Sequence, residues 1–157
     1  MSNPNVVIKR ANTLRIAEAT GFAAAFTPDA IGPVFMKTIP TVEQHLTASG
    51  ARPGMMVAYY ERPDAHGKII VHAGFDIGDQ PVPDVAGIHV TELPAVDVAS
   101  FVFRGAMTDI ASAYDAIARA VEEQRYTMAG YGRELYVEAR GPTSPDNVVE
   151  VQVPIRR

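Results

Sequence analysis

Hydrophobic positions recur along this chain with two different periods, and the change of period divides it into strands and two helices. Val6-Val7-Ile8-Lys9-Arg10 and Leu14-Arg15-Ile16-Ala17-Glu18-Ala19 are short runs with β-branched content, parted by Ala11-Asn12-Thr13. They predict one bent strand or a tight hairpin that breaks at Gly21. From Pro28-Asp29 to Ser49-Gly50 the pattern turns helical, with Asp29 as N-terminal cap, Gly50 as stop, and Val42 and Leu46 on the inward face. Pro33 suits a first turn, whereas Pro40 is expected to kink or divide the helix. Met55 to Glu61 and Lys68 to Ile77, joined by Arg62-Pro63-Asp64-Ala65-His66-Gly67, predict a hairpin.

Gly78 to Asp84, with Pro81 and Pro83, has the composition of a linker, and after it the order repeats. Gly87 to Val90 and Val96 to Phe103 read as strands around Leu93-Pro94. Thr108 to Gln124 reads as a helix capped by Thr108, because Ile110, Tyr114, Ile117 and Val121 recur at helical spacing opposite Asp109, Asp115, Arg119, Glu122 and Glu123. Gly130 to Glu138 and Val148 to Ile155 complete the second half as strands. Both halves, about residues 5–78 and 86–156, therefore read strand, strand, helix, strand, strand. The expected fold is α+β: two pseudo-twofold-related units with antiparallel sheets, one domain over residues 1–157, and a groove between the halves. Aligning Gly54 with Gly130 sets Tyr60 over Tyr136, and Ala58 where the second half has Glu134.

That contrast singles out Gly130-Tyr131-Gly132-Arg133-Glu134-Leu135-Tyr136-Val137-Glu138. On a strand Leu135 and Val137 share one face, expected to be the core side, and Glu134, Tyr136 and Glu138 share the other. A carboxylate beside a tyrosine is either solvated at the surface, the commoner fate of Glu, or lines a concave site. In an enclosed site desolvation raises its pKa, and it attracts an entering cation or donor.

Composition narrows the classes of function. Hydrophobic residues at 47% and charged residues at 20% describe an ordinary globular chain, and a net charge of −4 with no clustered basic run argues against direct nucleic-acid binding. The absence of cysteine excludes disulfides and thiolate chemistry, and no apolar run reaches membrane-spanning length or signal-peptide form, so the expectation is a cytoplasmic protein. His45, His66, His72 and His89 lack metal-ligand spacing. Gly130-x-Gly132 enters a strand instead of joining strand to helix and lacks a third glycine, unlike a dinucleotide fingerprint. No Ser-His-Asp signature is present, and no histidine or tyrosine has a haem-ligand context, so neither cofactor nor metal is expected.

Glu134-Leu135-Tyr136 after Gly130, the closing Val149-Glu150-Val151-Gln152-Val153-Pro154-Ile155, Leu93-Pro94-Ala95 and Tyr59-Tyr60-Glu61 resemble the GyrI-like small-molecule-binding domain family. That family also supplies effector-binding domains of AraC-type and MerR-type transcription regulators. The resemblance runs from about Val6 to Ile155. It implies two βαββ-type units and a central cleft for hydrophobic, often cationic compounds, with Glu134 receiving the charge and Tyr136 as the aromatic beside it. Tyr60, Phe103, Tyr131 and Phe75 are further candidates for the lining, each with core packing as the alternative. His72 stands where many relatives carry an acidic residue. The 157 residues are accounted for by the domain, so a regulatory role calls for a partner.

Three functions follow from the resemblance. The first is a standalone effector- or multidrug-binding protein for amphipathic, cationic ligands. The second is a hydrolase of strained electrophilic compounds in which Glu134 activates water. The third is a modulator of a protein partner, such as a gyrase inhibitor.

Overall fold

The computed structural model describes residues 5–157 and folds as an α+β chain of nine strands and two α-helices among the described residues. The strands are β1 (Val6–Ala11), β2 (Leu14–Ala23), β3 (Met56–Tyr60), β4 (Ile69–Asp76), β5 (His89–Leu93), β6 (Val96–Arg104), β7 (Thr127–Met128), β8 (Arg133–Glu138) and β9 (Val148–Arg156). The helices are α1 (Pro28–Ala48) and α2 (Ala111–Glu123). They group into two compact units, one of residues Thr13–Pro94 and one of Ala95–Arg157 with the N-terminal segment through Asn12.

In the Thr13–Pro94 unit the sheet order is β3-β4-β2-β5, every pair antiparallel. Helix α1 packs on β2 and β4, burying Val42 and Leu46 against Ala17, Ala19, Phe75 and Ile77. Gly21 does not end β2; the strand continues to Ala23. A Cβ at that position would lie 2.6 Å from Val34 Cγ1, so the glycine is where the helix approaches the sheet. Helix α1 is continuous through both Pro33 and Pro40. Its N-cap is Thr27, whose Oγ1 accepts from the Ala30 N–H at 3.3 Å, and not Asp29. Proline at position 40 leaves the carbonyl four residues back without an amide donor, and that residue, Met36, is 80% exposed, so water reaches it.

The other unit has the order β1-β6-β9-β8, with β7 on the far end of β9. Strands β1 and β2 form no hairpin: β1 pairs with β6, and β2 pairs with β4 and β5. The leading strand of each sequence half thus completes the sheet built from the other half's later strands, and the compact units differ from the sequence halves by this exchange. Helix α2 starts at Ala111 after a 3-10 turn over Met107–Asp109, and Thr108 provides no side-chain cap. Ile110, Ala113, Ile117, Ala120 and Val121 are its buried residues and its entry. No described helix is long and apolar enough to cross a membrane.

Candidate functional site

Cross-strand partners share a face of a sheet, so the register fixes which way each residue of β8 points. Glu134 lies opposite Val151, which lies opposite Phe101; Tyr136 lies opposite Val149, which lies opposite Phe103. Val149 and Val151 are completely buried. The face carrying Glu134 and Tyr136 is therefore the apolar core face, the reverse of the assignment from β8 alone. Leu135 is buried on the opposite face beside Glu150 and Val102, while Val137 is 59% exposed. The choice between the two parities belongs to β9, whose four aliphatic residues Val149, Val151, Val153 and Ile155 outweigh Leu135 and Val137.

Glu134 is consequently a carboxylate with only 3% of its surface exposed. Tyr136, two residues along the same strand, donates its hydroxyl to Glu134 Oε1 at 2.5 Å. Tyr114 on α2 donates to Oε2, also at 2.5 Å. These are short, charge-assisted contacts, and together they hold the plane of the carboxylate against the helix. Gly132 makes room for the second contact: a Cβ there would lie 2.5 Å from the Tyr114 hydroxyl. Hydrogen bonds of this kind favour the ionised carboxylate and offset part of the cost of burying it.

Helical spacing marks Tyr114 as a core position of α2; its hydroxyl also makes it a partner of Glu134. Its helical spacing signalled only burial, and the pairing with a strand residue twenty positions later had no local sign. Phe103 is buried one strand beyond Val149 in the row of Tyr136. Phe101, its neighbour by parity, lies in the row of Glu134 and is half-buried. Tyr131 is in the same unit but 39% exposed, in the turn before β8.

The two candidates from the first sequence half belong to the Thr13–Pro94 unit. Phe75 packs with Val42, Leu46 and Ile77 in the core under α1. Tyr60 is buried at the end of β3, where Phe26 meets its ring edge-on at 5.0 Å. Among the described residues no group of three or more His, Cys, Asp or Glu side chains has the arrangement of a metal site.

On the other face of the β8–β9 sheet, Glu150 accepts from Lys9 at 2.7 Å, Ser100 at 2.7 Å and Gln152 at 2.8 Å. Burial raises its pKa, but these three donors and the lysine charge more than compensate, leaving it below the usual carboxylate value. Arg133 lies buried on that face, and desolvation pulls its pKa down. The sheet thus carries two carboxylates on opposite faces, Glu150 held by Lys9, Ser100 and Gln152, and Glu134 held by Tyr114 and Tyr136.

The α+β architecture with its repeated strand and helix order is that of a class of small-molecule-binding domain. The model of the GyrI-like small molecule binding domain matches residues 21–156, and the chain belongs to that family. No curated protein matches the sequence significantly. Among solved structures, the C-terminal domain of EcmrR is similar over 97% of both chains, with a TM-score of 0.78 and 14% identity. In the EcmrR–DNA complex the matched part is 57% of the EcmrR chain, at a TM-score of 0.77 and 15% identity. SAV2435 bound to tetraphenylphosphonium is similar over 96% of this chain and 93% of that one, with a TM-score of 0.59 and 12% identity. A hydrolase from Listeria innocua is similar over 99% and 94%, with a TM-score of 0.61 and 8% identity. At these identities the likenesses concern the fold.

Proposed function

We propose that the chain is a binding module for amphipathic, cationic small molecules, with Glu134 as the charge acceptor. The observation that carries this reading is the burial of Glu134 on an apolar sheet face with both oxygens held by tyrosine hydroxyls. A carboxylate fixed among aromatic rings offers an organic cation a charge partner and ring faces, the latter contributing roughly 0.5–2 kcal/mol each. One fixed charge with adaptable apolar contacts discriminates by charge more than by shape, which suits ligands of varied outline. The tetraphenylphosphonium-bound relative is a protein of this fold holding a lipophilic cation, and the EcmrR domain suggests effector sensing on behalf of a transcription regulator.

A hydrolytic reading would use the same Glu134 as a general base toward water, with a lone pair that the tyrosine donors leave on each oxygen. The apolar face around the carboxylate favours an organic cation over water as its partner. The test is thermal denaturation with tetraphenylphosphonium and with neutral triphenylphosphine oxide, for the wild type and Glu134→Gln. A ligand at one hundred times its Kd stabilises by about 2.7 kcal/mol. Expected is stabilisation by the cation that is lost in the variant, with any response to the neutral compound unchanged. Equal responses to both compounds in both proteins would reject Glu134 as charge acceptor.

A further inference from the structure

The face of the Thr13–Pro94 sheet away from α1 carries a second buried carboxylate. Glu18, on β2 and 3% exposed, collects three donors on one oxygen: Tyr59 Oη at 2.9 Å, His72 Nδ1 at 3.0 Å and Thr91 Oγ1 at 3.2 Å. Its other oxygen, Oε2, is buried with no hydrogen-bond partner among the described residues. The second nitrogen of His72, Nε2, lies 2.6 Å from Oε2 of Glu61, whose side chain is half exposed just beyond the end of β3. The Tyr59 ring stacks on the imidazole at 4.2 Å, 8° from parallel.

A neutral imidazole has a single N–H. With a carboxylate on each ring nitrogen, the neutral ring would turn a lone pair toward one of them, so this arrangement belongs to the imidazolium. The remaining polar groups of this face have other engagements or none with His72. His89, the cross-strand partner of Glu18, is exposed; Asp76 accepts from the Gly78 N–H; Lys68 lies over the Phe22 ring. Among the described residues His72 is the only basic side chain in ion-pair contact with Glu18.

We propose that His72 is a proton-operated latch: its imidazolium ties Glu61, at the end of β3, to the buried Glu18 on β2, and loss of the proton releases that end of the strand. The ligand of this site is a proton, and the responding element is the backbone contact just beyond the β3–β4 pairing, Glu61 N–H to the Ile70 carbonyl at 3.1 Å. Burial lowers the pKa of His72, but the hydrogen bonds and charges of Glu18 and Glu61 outweigh it and leave the pKa above the ordinary histidine value. This device is independent of the ligand reading at Glu134.

The experiment is a long-range proton–nitrogen correlation spectrum of the imidazoles across roughly pH 5–9, a range that brackets an ordinary histidine. Amide exchange at position 61 is followed in the same samples, for the wild type and Glu61→Gln, a substitution at a half-exposed position. Expected is a His72 with both nitrogens protonated below its midpoint, a midpoint above that of an ordinary histidine that falls in Glu61→Gln, and a Glu61 amide protection, corrected for the intrinsic pH dependence of exchange, that drops as His72 loses its proton. A midpoint at or below that of an ordinary histidine, an unmoved midpoint in the variant, or a Glu61 protection that shows no step at the midpoint would each overturn the proposal.

Discussion

At the scale of single residues, Gly132 is as much a part of the Glu134 site as the side chains that bond to it. A Cβ at position 132 would meet Tyr114 Oη at 2.5 Å and Cε1 at 2.7 Å, so the ring itself, and not a pliable chain end, has to move. Gly132→Ala is therefore expected to destabilise by about 1–3 kcal/mol, the range of an overpacked core, and to weaken cation-induced stabilisation by taking the Tyr114 hydroxyl off the carboxylate. Gly130→Ala is the internal control, because its Cβ would meet Pro154 Cγ at 3.4 Å, close to ordinary contact. Denaturant midpoints with and without tetraphenylphosphonium check both. A Gly132→Ala protein as stable and as responsive as the control would remove the Tyr114 contact from the site.

The elements show which features of this fold are written locally and which depend on pairing. The 3.6-residue pattern of α2 and the alternation of β9 are properties of single segments, and both elements lie where the pattern puts them. The partner of β1 is not such a property: nothing in Val6–Ala11 says that it joins β6 instead of β2. The same limit governed the site. Glu134 and Tyr136 stand out as a carboxylate and an aromatic on one strand face, but whether that face meets the core depends on β9, and Tyr114 enters only once α2 lies across the sheet. Glu18 and His72 come from two strands and Glu61 from just beyond the end of a third, and no spacing in the sequence announces their convergence.

Helix α1 gives a further case in which tertiary packing overrode a local signal, since Pro40 neither ends nor divides it. Val42 and Leu46 beyond the proline are fully buried, and their burial holds the helix together across the missing hydrogen bond. An interior proline costs a helix about 3 kcal/mol, partly offset by the roughly 0.4–1 kcal/mol it gains by restricting the unfolded chain. Because Pro40 is exposed, Pro40→Ala is expected to stabilise by about 1–2 kcal/mol, read as a higher urea midpoint at unchanged slope. A lower midpoint would show that the ring has a packing role.

For the whole molecule, the two ionised clusters set opposite limits on stability against pH, one in each compact unit. Glu150 has a pKa below its unfolded value of 4.5, so its contribution is present above about pH 4.5 and is lost as the pH falls through the folded value. His72 has a pKa above its unfolded value of 6.5, so its contribution is complete below about pH 6.5 and is lost as the pH rises through the folded value. Both contributions are whole only between these limits, and the melting temperature is expected to peak in mildly acidic solution. The net charge of −4 with neutral histidines pushes the same way, because acidification from neutrality first reduces self-repulsion. That second effect is separable by mutation and by salt: repulsion across the surface is screened, whereas the contacts of a buried pair are screened far less. His72→Gln is therefore expected to flatten the alkaline side of the profile at high salt while leaving the acid side intact, and Glu150→Gln to do the converse. An alkaline decline that persists unchanged in His72→Gln at high salt would assign it to a group other than this histidine.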